Sequence, residues 1–340
     1  MPADGQLRTR ALWFTAPRTA ELREETVTPP GPGEVRVRTL ASAVSRGTEM
    51  LVYRGEVPEG TDLDLPTLAG SFGFPIKYGY SAVGRVTDAG DETTNLAPGD
   101  AVFVLHPHQE AFVVPETLPV RLPEGFDPLL AVFCANVETA VGIVHDAAPR
   151  LGETALVFGG GVVGLLVASL LKLVGVEVLV IEPLAFRREL ALARGADASF
   201  EPDDELVERV FERTAGRGAD VVVEASGSGS ALGLALGCVA VEGTVVAASW
   251  YGARPVTLPL GGRFHRGRVR LRSSQVGRIS PDLSARWDAA RRMKSVLDLL
   301  PRLELRDLVT HRVPFAQAPE IYRRLDGDGG EYLQVVFDYE

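Results

Sequence analysis

The alternation of apolar and polar residues divides the chain into segments of different character. Between about residues 7 and 123, short runs with a period of two, such as 34–38 (EVRVR) and 82–86 (AVGRV), are separated by turn-forming clusters at 29–34 and 97–100. A period of two is typical of half-buried strands, and clusters of Pro and Gly mark the turns between them. This part of the chain is predicted to form an antiparallel β domain.

A helical period and then a mixed pattern follow. Residues 129–145 have apolar positions at helical spacing, and beyond residue 154 short apolar runs alternate with helical stretches, the last of them a helix at 284–299. Such alternation predicts a doubly wound parallel sheet with helices on both faces. The strands of this sheet are predicted at residues 155–158, 177–181, 220–224 and 243–248.

The end of the chain returns to the first pattern, with a predicted strand at 332–337. A chain of 340 residues is also long for a single core. We therefore predict an α/β protein of two domains. A discontinuous β domain of residues 1–125 and 302–340 would receive the domain of residues 126–301, with its doubly wound parallel sheet, as an insertion.

A glycine-rich turn follows the first predicted strand of the parallel sheet. Gly159, Gly161 and Gly164 have the spacing G-x-G-x-x-G and stand before the helix predicted at 162–174. The first glycine permits a tight turn, the second lets the backbone approach a pyrophosphate, and the third allows close packing of helix on strand. The positive end of the helix dipole favours the same anionic group. The dinucleotide-binding residues predicted in this turn are Gly159, Gly160, Gly161, Val162, Val163 and Gly164.

The residue after the second strand of the sheet predicts which dinucleotide binds. Glu182 follows the strand at 177–181, and a carboxylate there accepts hydrogen bonds from the adenine ribose and repels a 2′-phosphate. This favours NAD(H) over NADP(H). Arg187 and Arg188 argue in the opposite direction, because an arginine near the ribose can accept a phosphate. Their place at the start of the next helix favours a contact with the ribose or with solvent.

Composition and charge exclude several classes of protein. The formal charge of −10 and the pI near 5.2 argue against nucleic acid as a general partner. No apolar run approaches the roughly 20 residues that cross a bilayer, and the first residues lack an apolar signal segment. We therefore expect a cytoplasmic protein with no membrane partner. Cys134 and Cys238 are too few for a disulfide framework or a four-cysteine zinc lobe.

Four stretches, taken in order, resemble one known family. They are SRGTEML at 45–51, YGYSAVGRV at 78–86, PRLGETALVFGGGVVGLL at 149–166 and GADVVVEASG at 218–227. The chain resembles the medium-chain dehydrogenase/reductase family over nearly its whole length, and in particular zinc-less members akin to bacteriochlorophyllide dehydrogenase. The resemblance implies hydride transfer to or from a small-molecule substrate, bound in a cleft between a GroES-like domain and a Rossmann domain. It also implies a homodimer joined through the last Rossmann strand, roughly 244–271.

The chain departs from the zinc alcohol dehydrogenases of this family at the metal ligands. Ser45 stands where they have a cysteine, and Gly79-Tyr80-Ser81 stands where they have Gly-His-Glu. Cys134 lies close to the position of their remaining cysteine. A hydroxyl and a phenol do not replace a thiolate and an imidazole as zinc ligands, and one thiolate cannot hold the metal. We therefore expect a dinucleotide cofactor and no zinc.

Without zinc, another group must polarise the carbonyl and exchange the proton. Tyr80 can donate through its hydroxyl, Ser45 can relay the proton, and Glu49 can exchange it with solvent. His108 and His106 are further candidates, since an unperturbed imidazole has a pKa near working pH. Each residue also has an ordinary interpretation: Tyr80 as a core aromatic, Glu49 as a carboxylate at a helix start, and the histidines as loop residues.

Further cofactor contacts are implied by the resemblance. Arg46 matches a family residue that reaches the pyrophosphate, although a surface ion pair is the alternative. Thr139 matches a position beside the nicotinamide. Ala225, Ser226 and Ser249 end predicted strands at the carboxyl edge of the sheet, where a dinucleotide lies in such folds.

Three functions are compatible with these residues. The first hypothesis is a zinc-independent, NAD(H)-dependent oxidoreductase that interconverts a secondary alcohol and a ketone in a specialised metabolite. The alternative is an NAD(P)H-dependent reductase of the C=C bond of an enone or quinone, which needs only a hydrogen bond to the enolate oxygen. The third is a non-catalytic dinucleotide-binding protein, because a fold alone does not fix a function.

Overall fold

The backbone divides into two units, each with its own hydrophobic core. The computed structural model of the chain describes residues 5–63, 65–68, 70–327 and 330–339. The first unit contains Met1–Ala135 and Glu304–Glu340, and the second contains Asn136–Leu303. None of the described helices has the length and apolar character that a bilayer-spanning segment needs.

Sixteen strands and nine α-helices make up the regular structure of the described residues. The strands are β1 (Leu7–Ala16), β2 (Thr19–Val27), β3 (Glu34–Ala43), β4 (Ile76–Lys77), β5 (Ala82–Ala89), β6 (Ala101–Val104), β7 (Ala111–Pro115), β8 (Val120–Arg121), β9 (Thr154–Phe158), β10 (Glu177–Ile181), β11 (Ala198–Phe200), β12 (Ala219–Glu224), β13 (Val239–Ala247), β14 (Arg270–Ser273), β15 (Val309–Pro314) and β16 (Gln334–Asp338). The helices are α1 (Thr48–Arg54), α2 (Pro128–Ala131), α3 (Cys134–Ala147), α4 (Val162–Val174), α5 (Ala185–Ala193), α6 (Leu206–Arg213), α7 (Gly229–Cys238), α8 (Ala289–Leu299) and α9 (Ala318–Gly327).

The first unit is built on two β-sheets. A small sheet has the strand order β2-β1-β4, and a larger one has the order β15-β16-β3-β5-β6-β8, with β7 paired to β3. Neighbouring strands in the larger sheet are antiparallel except for β15 and β16. Strands β15 and β16 come from the end of the chain, and β16 pairs with β3, so this sheet combines segments that are far apart in the sequence.

The core of the first unit brings α1 and α9 together with the end of the larger sheet. Strand β16 pairs with β3 so that Phe337 lies opposite Ser42. Tyr322 of α9 is fully buried in the same apolar cluster, and its ring lies 4.9 Å from that of Phe14 in an edge-to-face arrangement. This packing brings segments that are distant in the sequence into one core.

The second unit is organised around a six-stranded sheet. Its order is β11-β10-β9-β12-β13-β14, and every pair of neighbours is parallel. Strands β9 and β12 lie side by side at the point where the strand order reverses, which is where ligands bind in open α/β sheets. The sheet confirms the Rossmann part of the predicted fold.

The last helix of the second unit is shorter than the sequence predicts. It begins at Ala289 instead of residue 284, because the Asp288 side chain accepts a hydrogen bond from the backbone N–H of Arg291 at 2.7 Å and caps the helix. Residues before the cap form turns, although their composition also suits a helix.

Candidate functional site

The glycine turn of the second unit depends on two close backbone approaches. Gly159 directly follows β9 and has a φ of +102°, and a Cβ on it would lie 2.9 Å from the backbone of Ala225 and Ser226. A Cβ on Gly164 would lie only 1.9 Å from the carbonyl oxygen of Gly159. Larger residues therefore cannot form this turn without moving the backbone.

The turn leads directly into α4. Gly161 precedes the helix in an extended conformation and has no side chain with which to cap it. Val162 and Val163 are the first residues of the helix, so their backbone N–H groups lie at its positive end. The missing side chain of Gly161 leaves room for a pyrophosphate, and the N–H groups at the helix start can donate hydrogen bonds to it.

Glu182 is held at the same turn. Its side chain is 4% exposed, Oε2 accepts from the N–H of Gly160 at 2.6 Å, and Oε1 accepts from the N–H of Leu184 at 3.0 Å. The two bonds fix the carboxylate beside the position where an adenine ribose binds in this class of fold. Burial lowers the pKa of Arg187, and the charge of Glu182 acts in the opposite direction. Arg188 donates to the carbonyl oxygens of Glu182 and Pro183, at 2.8 and 2.7 Å.

A second buried carboxylate, which the sequence analysis missed, organises the ends of β12 and β13. Glu224 is fully buried, and its Oε1 accepts from the backbone N–H groups of Ser226 and Gly227 at 2.6 and 3.0 Å. Tyr251 donates its hydroxyl to the other carboxylate oxygen. Ser249 accepts from the N–H of Gly227 at 2.9 Å. The predicted cofactor residues Ala225 and Ser226 thus lie in the loop after β12, against the glycine turn, and Ser249 lies in the neighbouring loop after β13.

Two other predicted cofactor residues belong to other segments of the chain. Thr139 is in α3. Arg46 belongs to the first unit, where its guanidinium donates to the backbone carbonyl of Tyr332. Their contacts with a cofactor stay predictions.

In the first unit, Tyr80 and Ser45 form a hydrogen-bonded pair. The hydroxyl of Tyr80 donates to Oγ of Ser45, and both side chains are partly buried. Burial raises the pKa of Tyr80 to about 12, the charge of Glu49 adds to this effect, and the bond to Ser45 opposes it. Near neutral pH the phenol is therefore protonated and can act as a hydrogen-bond donor.

Glu49 is close to this pair and is buried. Its side chain is 0% exposed, so the predicted direct exchange of a proton between Glu49 and solvent is wrong. Oε1 accepts from the backbone N–H of Ser45 at 2.8 Å, and Oε2 contacts Nε2 of His108 at 3.0 Å. Oε2 also accepts from the hydroxyl of Tyr322.

The two histidines have different environments. His108 is fully buried, and Gly79 makes room for it, since a Cβ on that glycine would lie 2.7 Å from Cδ2 of the imidazole. His106 stacks on Phe112 with 3.6 Å between ring centroids. Burial lowers the pKa of His106 to about 3. The expectation that His106 titrates near working pH is therefore wrong.

The residues at the zinc-ligand positions do not fit a zinc ion. Tyr80 and Ser45 hydrogen-bond to each other, and the hydroxyl of Ser81 donates to the backbone carbonyl of Val132 at 2.5 Å. Hydroxyl and phenol groups are poor zinc ligands beside thiolates and imidazoles. Over residues 5–63, 65–68, 70–327 and 330–339, no group of three or more His, Cys, Asp and Glu side chains is arranged to hold a metal.

The parallel sheet, its glycine turn and Glu182 are typical of a dinucleotide-binding unit, and the mainly antiparallel sheet in which β16 pairs with β3 is consistent with a GroES-like β unit. A family model described as zinc-binding dehydrogenase matches residues 162–293, a range that contains none of Ser45, Tyr80 and Cys134. The chain belongs to the medium-chain dehydrogenase/reductase family. It is therefore an oxidoreductase of the dehydrogenase type.

Individual relatives support this assignment. D-guloside 3-dehydrogenase of Escherichia coli K12 is 29% identical, over 92% of this chain and 95% of its own. L-threonine 3-dehydrogenase of Pyrococcus furiosus is 30% identical, over 66% and 71%, and 2-desacetyl-2-hydroxyethyl bacteriochlorophyllide A dehydrogenase of Cereibacter sphaeroides is 27% identical, over 98% and 99%. A Sinorhizobium meliloti structure solved with bound NADP shares the fold, with a TM-score of 0.81 and 20% identity over 98% and 99% of the two chains.

A glycine substitution tests the dinucleotide turn. In Gly164→Ala the new methyl group would overlap the carbonyl oxygen of Gly159, so we expect NADH affinity to fall by at least about tenfold. Calorimetric titration measures the loss. Gly142→Ala, at a helical glycine whose Cβ would meet nothing within 4 Å, is the matched control and should bind like the parent protein. Equal affinity in both variants would show that the turn does not bind the cofactor.

Proposed function

We propose that the protein is a zinc-independent, NAD(H)-dependent oxidoreductase that interconverts a secondary alcohol and a ketone in a specialised metabolite. The observation that carries the proposal is the Tyr80–Ser45 hydrogen bond at the positions of two zinc ligands. A protonated phenol there can polarise a carbonyl, which is the task of the metal in the zinc enzymes of the family. Three relatives are named as dehydrogenases of a guloside, of threonine and of a hydroxyethyl group, which supports an alcohol substrate.

The proposed roles of Tyr80 and Ser45 depend on the protonation state of the Tyr80 phenol. When bound, the nicotinamide supplies or accepts the hydride. In ketone reduction, Tyr80 hydrogen-bonds to the substrate oxygen and donates its proton to it. A proton from solvent then restores the phenol through Ser45, which takes up one proton as it passes another to Tyr80. Because the pKa of Tyr80 is raised to about 12, the phenolate needed to accept a proton in alcohol oxidation is scarce at neutral pH. Oxidation should therefore become faster as pH rises, by about tenfold per pH unit while this deprotonation limits the rate.

Removing both hydroxyls tests the proton assignment. We expect Tyr80→Phe combined with Ser45→Ala to lower kcat/KM by at least about a hundredfold, because a positioned general acid contributes at least that factor. Tyr78→Phe is the control, since Tyr78 is a neighbouring buried tyrosine whose ring lies 6.2 Å from that of Tyr80. Steady-state rates with secondary alcohols and ketones measure the effect. Full activity of the double variant would remove Tyr80 and Ser45 from the chemistry.

The same assay separates the alternatives. A protein that consumes an α,β-unsaturated ketone, without acting on the matching saturated alcohol, would be a C=C reductase. A protein that binds the dinucleotide tightly and turns over no compound of either class would be a non-catalytic binder.

The preference for NAD(H) is supported by the buried carboxylate of Glu182. A negative charge held by Gly160 and Leu184 would lie beside the 2′-phosphate of NADP(H) and repel it. The fold neighbour from Sinorhizobium meliloti was solved with NADP, but a likeness at 20% identity does not carry cofactor preference.

Calorimetry with both cofactors tests this preference. We expect NADH to bind at least about tenfold more tightly than NADPH, and Glu182→Gln to narrow the ratio by strengthening NADPH binding. Glu189→Gln makes the same charge change at an exposed position of α5 and should leave the ratio unchanged. Tighter NADPH binding by the parent protein would assign the preference to Arg187 or Arg188.

A cytoplasmic homodimer is part of the same proposal. Strand β14 is the edge strand of the parallel sheet, and an unpaired edge can pair with a second copy of itself. Both cysteines, Cys134 and Cys238, are free and buried, as suits a reducing compartment. Sedimentation at micromolar protein should give a dimer, and a monomer at that concentration would contradict the interface.

A further inference from the structure

A buried polar cluster lies inside the apolar core of the first unit. Five side chains define this Glu49 cluster: Ser42, Glu49, His108, Tyr322 and Tyr339. They come from β3, from α1, from the segment between β6 and β7, from α9 and from the end of the chain. Ser42, Glu49, His108 and Tyr322 are each 0% exposed. Ionisable groups buried together beside a reactive pair are candidates for a functional role.

The carboxylate of Glu49 is fully supplied with partners. It accepts from the N–H of Ser45, from the hydroxyl of Tyr322 and from Nε2 of His108. Burial of a carboxylate is unfavourable unless such bonds replace water. An apolar side chain would fill the same space at less cost in desolvation, so the need for a packed core does not explain this arrangement.

Glu49 forms hydrogen bonds with both the backbone N–H and the backbone carbonyl of Ser45. The backbone N–H of Glu49 donates to the carbonyl of Ser45 at 2.9 Å, and the side-chain Oε1 accepts from the N–H of Ser45 at 2.8 Å. With its backbone fixed in this way, Ser45 presents Oγ to the hydroxyl of Tyr80. The position of one member of the reactive pair therefore depends on the carboxylate of Glu49.

His108 connects the carboxylate to a chain of hydroxyls. Nδ1 lies 2.7 Å from Oγ of Ser42, which lies 2.8 Å from the hydroxyl of Tyr339. A neutral imidazole with its proton on Nε2 accepts from Ser42, which then accepts from Tyr339. A protonated imidazole donates to Ser42, and the direction of both bonds reverses. The orientation of His108 towards Glu49 is thus held by either state of the chain.

The negative charge of Glu49 also acts on its titratable neighbours. The titratable side chains that face it are His108, Tyr78, Tyr80, Tyr322 and Tyr339. Tyr80 belongs to the reactive pair, and Ser45 bonds both to the Glu49 carboxylate and to the Tyr80 hydroxyl, so the charge lies one residue away from the phenol. The charge of Glu49 contributes to the raised pKa of Tyr80 after the larger effect of burial.

We propose that Glu49 is a positioning residue that holds Ser45 against Tyr80 and controls proton exchange at Tyr80 through its charge, with His108 and Tyr322 fixing its carboxylate. Glu49 and His108 then act through the reactive pair instead of contacting substrate. The proposal rests on the function proposed above for Tyr80 and Ser45. Its test uses the free protein, so that its outcome does not depend on turnover.

The first test removes the charge of Glu49 and keeps its shape. In Glu49→Gln, the ¹³Cζ signal of Tyr80 in tyrosine-labelled protein, assigned with Tyr80→Phe, is followed to about pH 10.5. We expect the phenolate fraction of Tyr80 at the highest pH to rise by about tenfold, because a nearby negative charge typically shifts a pKa by about one unit. An unchanged titration in a folded Glu49→Gln protein would overturn the proposal.

The second test compares two variants that both keep the charge of Glu49. One of them removes a hydrogen bond to its carboxylate, and the other is a control. Tyr322→Phe deletes one buried hydroxyl that bonds to Glu49, and Tyr53→Phe deletes another in the same core that donates to the carbonyl of Arg18 at 2.7 Å. Both should lower the melting temperature to a similar degree. Only Tyr322→Phe should speed hydrogen exchange at the amide of Ser45, by at least about tenfold. Equal exchange in the two variants would overturn the proposal.

These measurements distinguish failure of the proposed function from failure of the proposed role of Glu49. If Tyr80→Phe combined with Ser45→Ala retains full activity, the proposed function fails, although Glu49 can still shift the Tyr80 titration. If that double variant is inactive and Glu49→Gln leaves the titration of Tyr80 unchanged, the proposed function is supported and the proposed role of Glu49 is rejected.

Discussion

A carboxylate buried in an apolar core is the constraint around which the first unit is arranged. Glu49 has no exposed surface, so its charge has to be met by donors within the protein. The donors come from a histidine between two strands and from a tyrosine in α9. The pairing of β16 with β3 makes this possible, because it brings the last strand and the preceding helix beside β3 and α1. Fold and reactive pair are therefore linked through one side chain.

In the second unit, the glycine turn depends on positions that have no side chain. Gly159 and Gly164 approach backbone so closely that a single methyl group would collide. The space they leave, together with the start of α4, is the proposed site for the pyrophosphate, and Glu182 is bonded to the same turn through the N–H of Gly160. The proposal thus assigns dinucleotide binding to the residues that also pack the helix on the strand.

The sequence predicts what depends on local pattern. The β-rich first part, the alternating second part and the glycine turn are all visible in runs of fewer than about 30 residues, and the fold agrees with them. The start of α8 was predicted too early because a single capping aspartate, Asp288, decides it. Burial is harder to predict: neither the enclosure of Glu49 nor the lowered pKa of His106 leaves a signal in the sequence nearby.

Contacts between distant segments also escape a sequence-based argument. Tyr322 bonds to Glu49 across 273 positions of chain, and Tyr339 bonds to Ser42 across 297. Both tyrosines look like ordinary core aromatics in their own segments. The sequence indicates Tyr80 and Ser45 as candidates only because the family resemblance marks both positions as altered zinc ligands, and their hydrogen bond is seen only in the structure.

The central claim is that Tyr80 and Ser45 replace zinc at the reacting oxygen. The most direct measurement is the rate of secondary-alcohol oxidation by protein freed of metal with a strong chelator, compared with the same sample after zinc is added back and with metal content determined in both. The account predicts the same rate with and without zinc. A metal-free protein that is inactive and recovers its rate with one zinc ion per chain would contradict it.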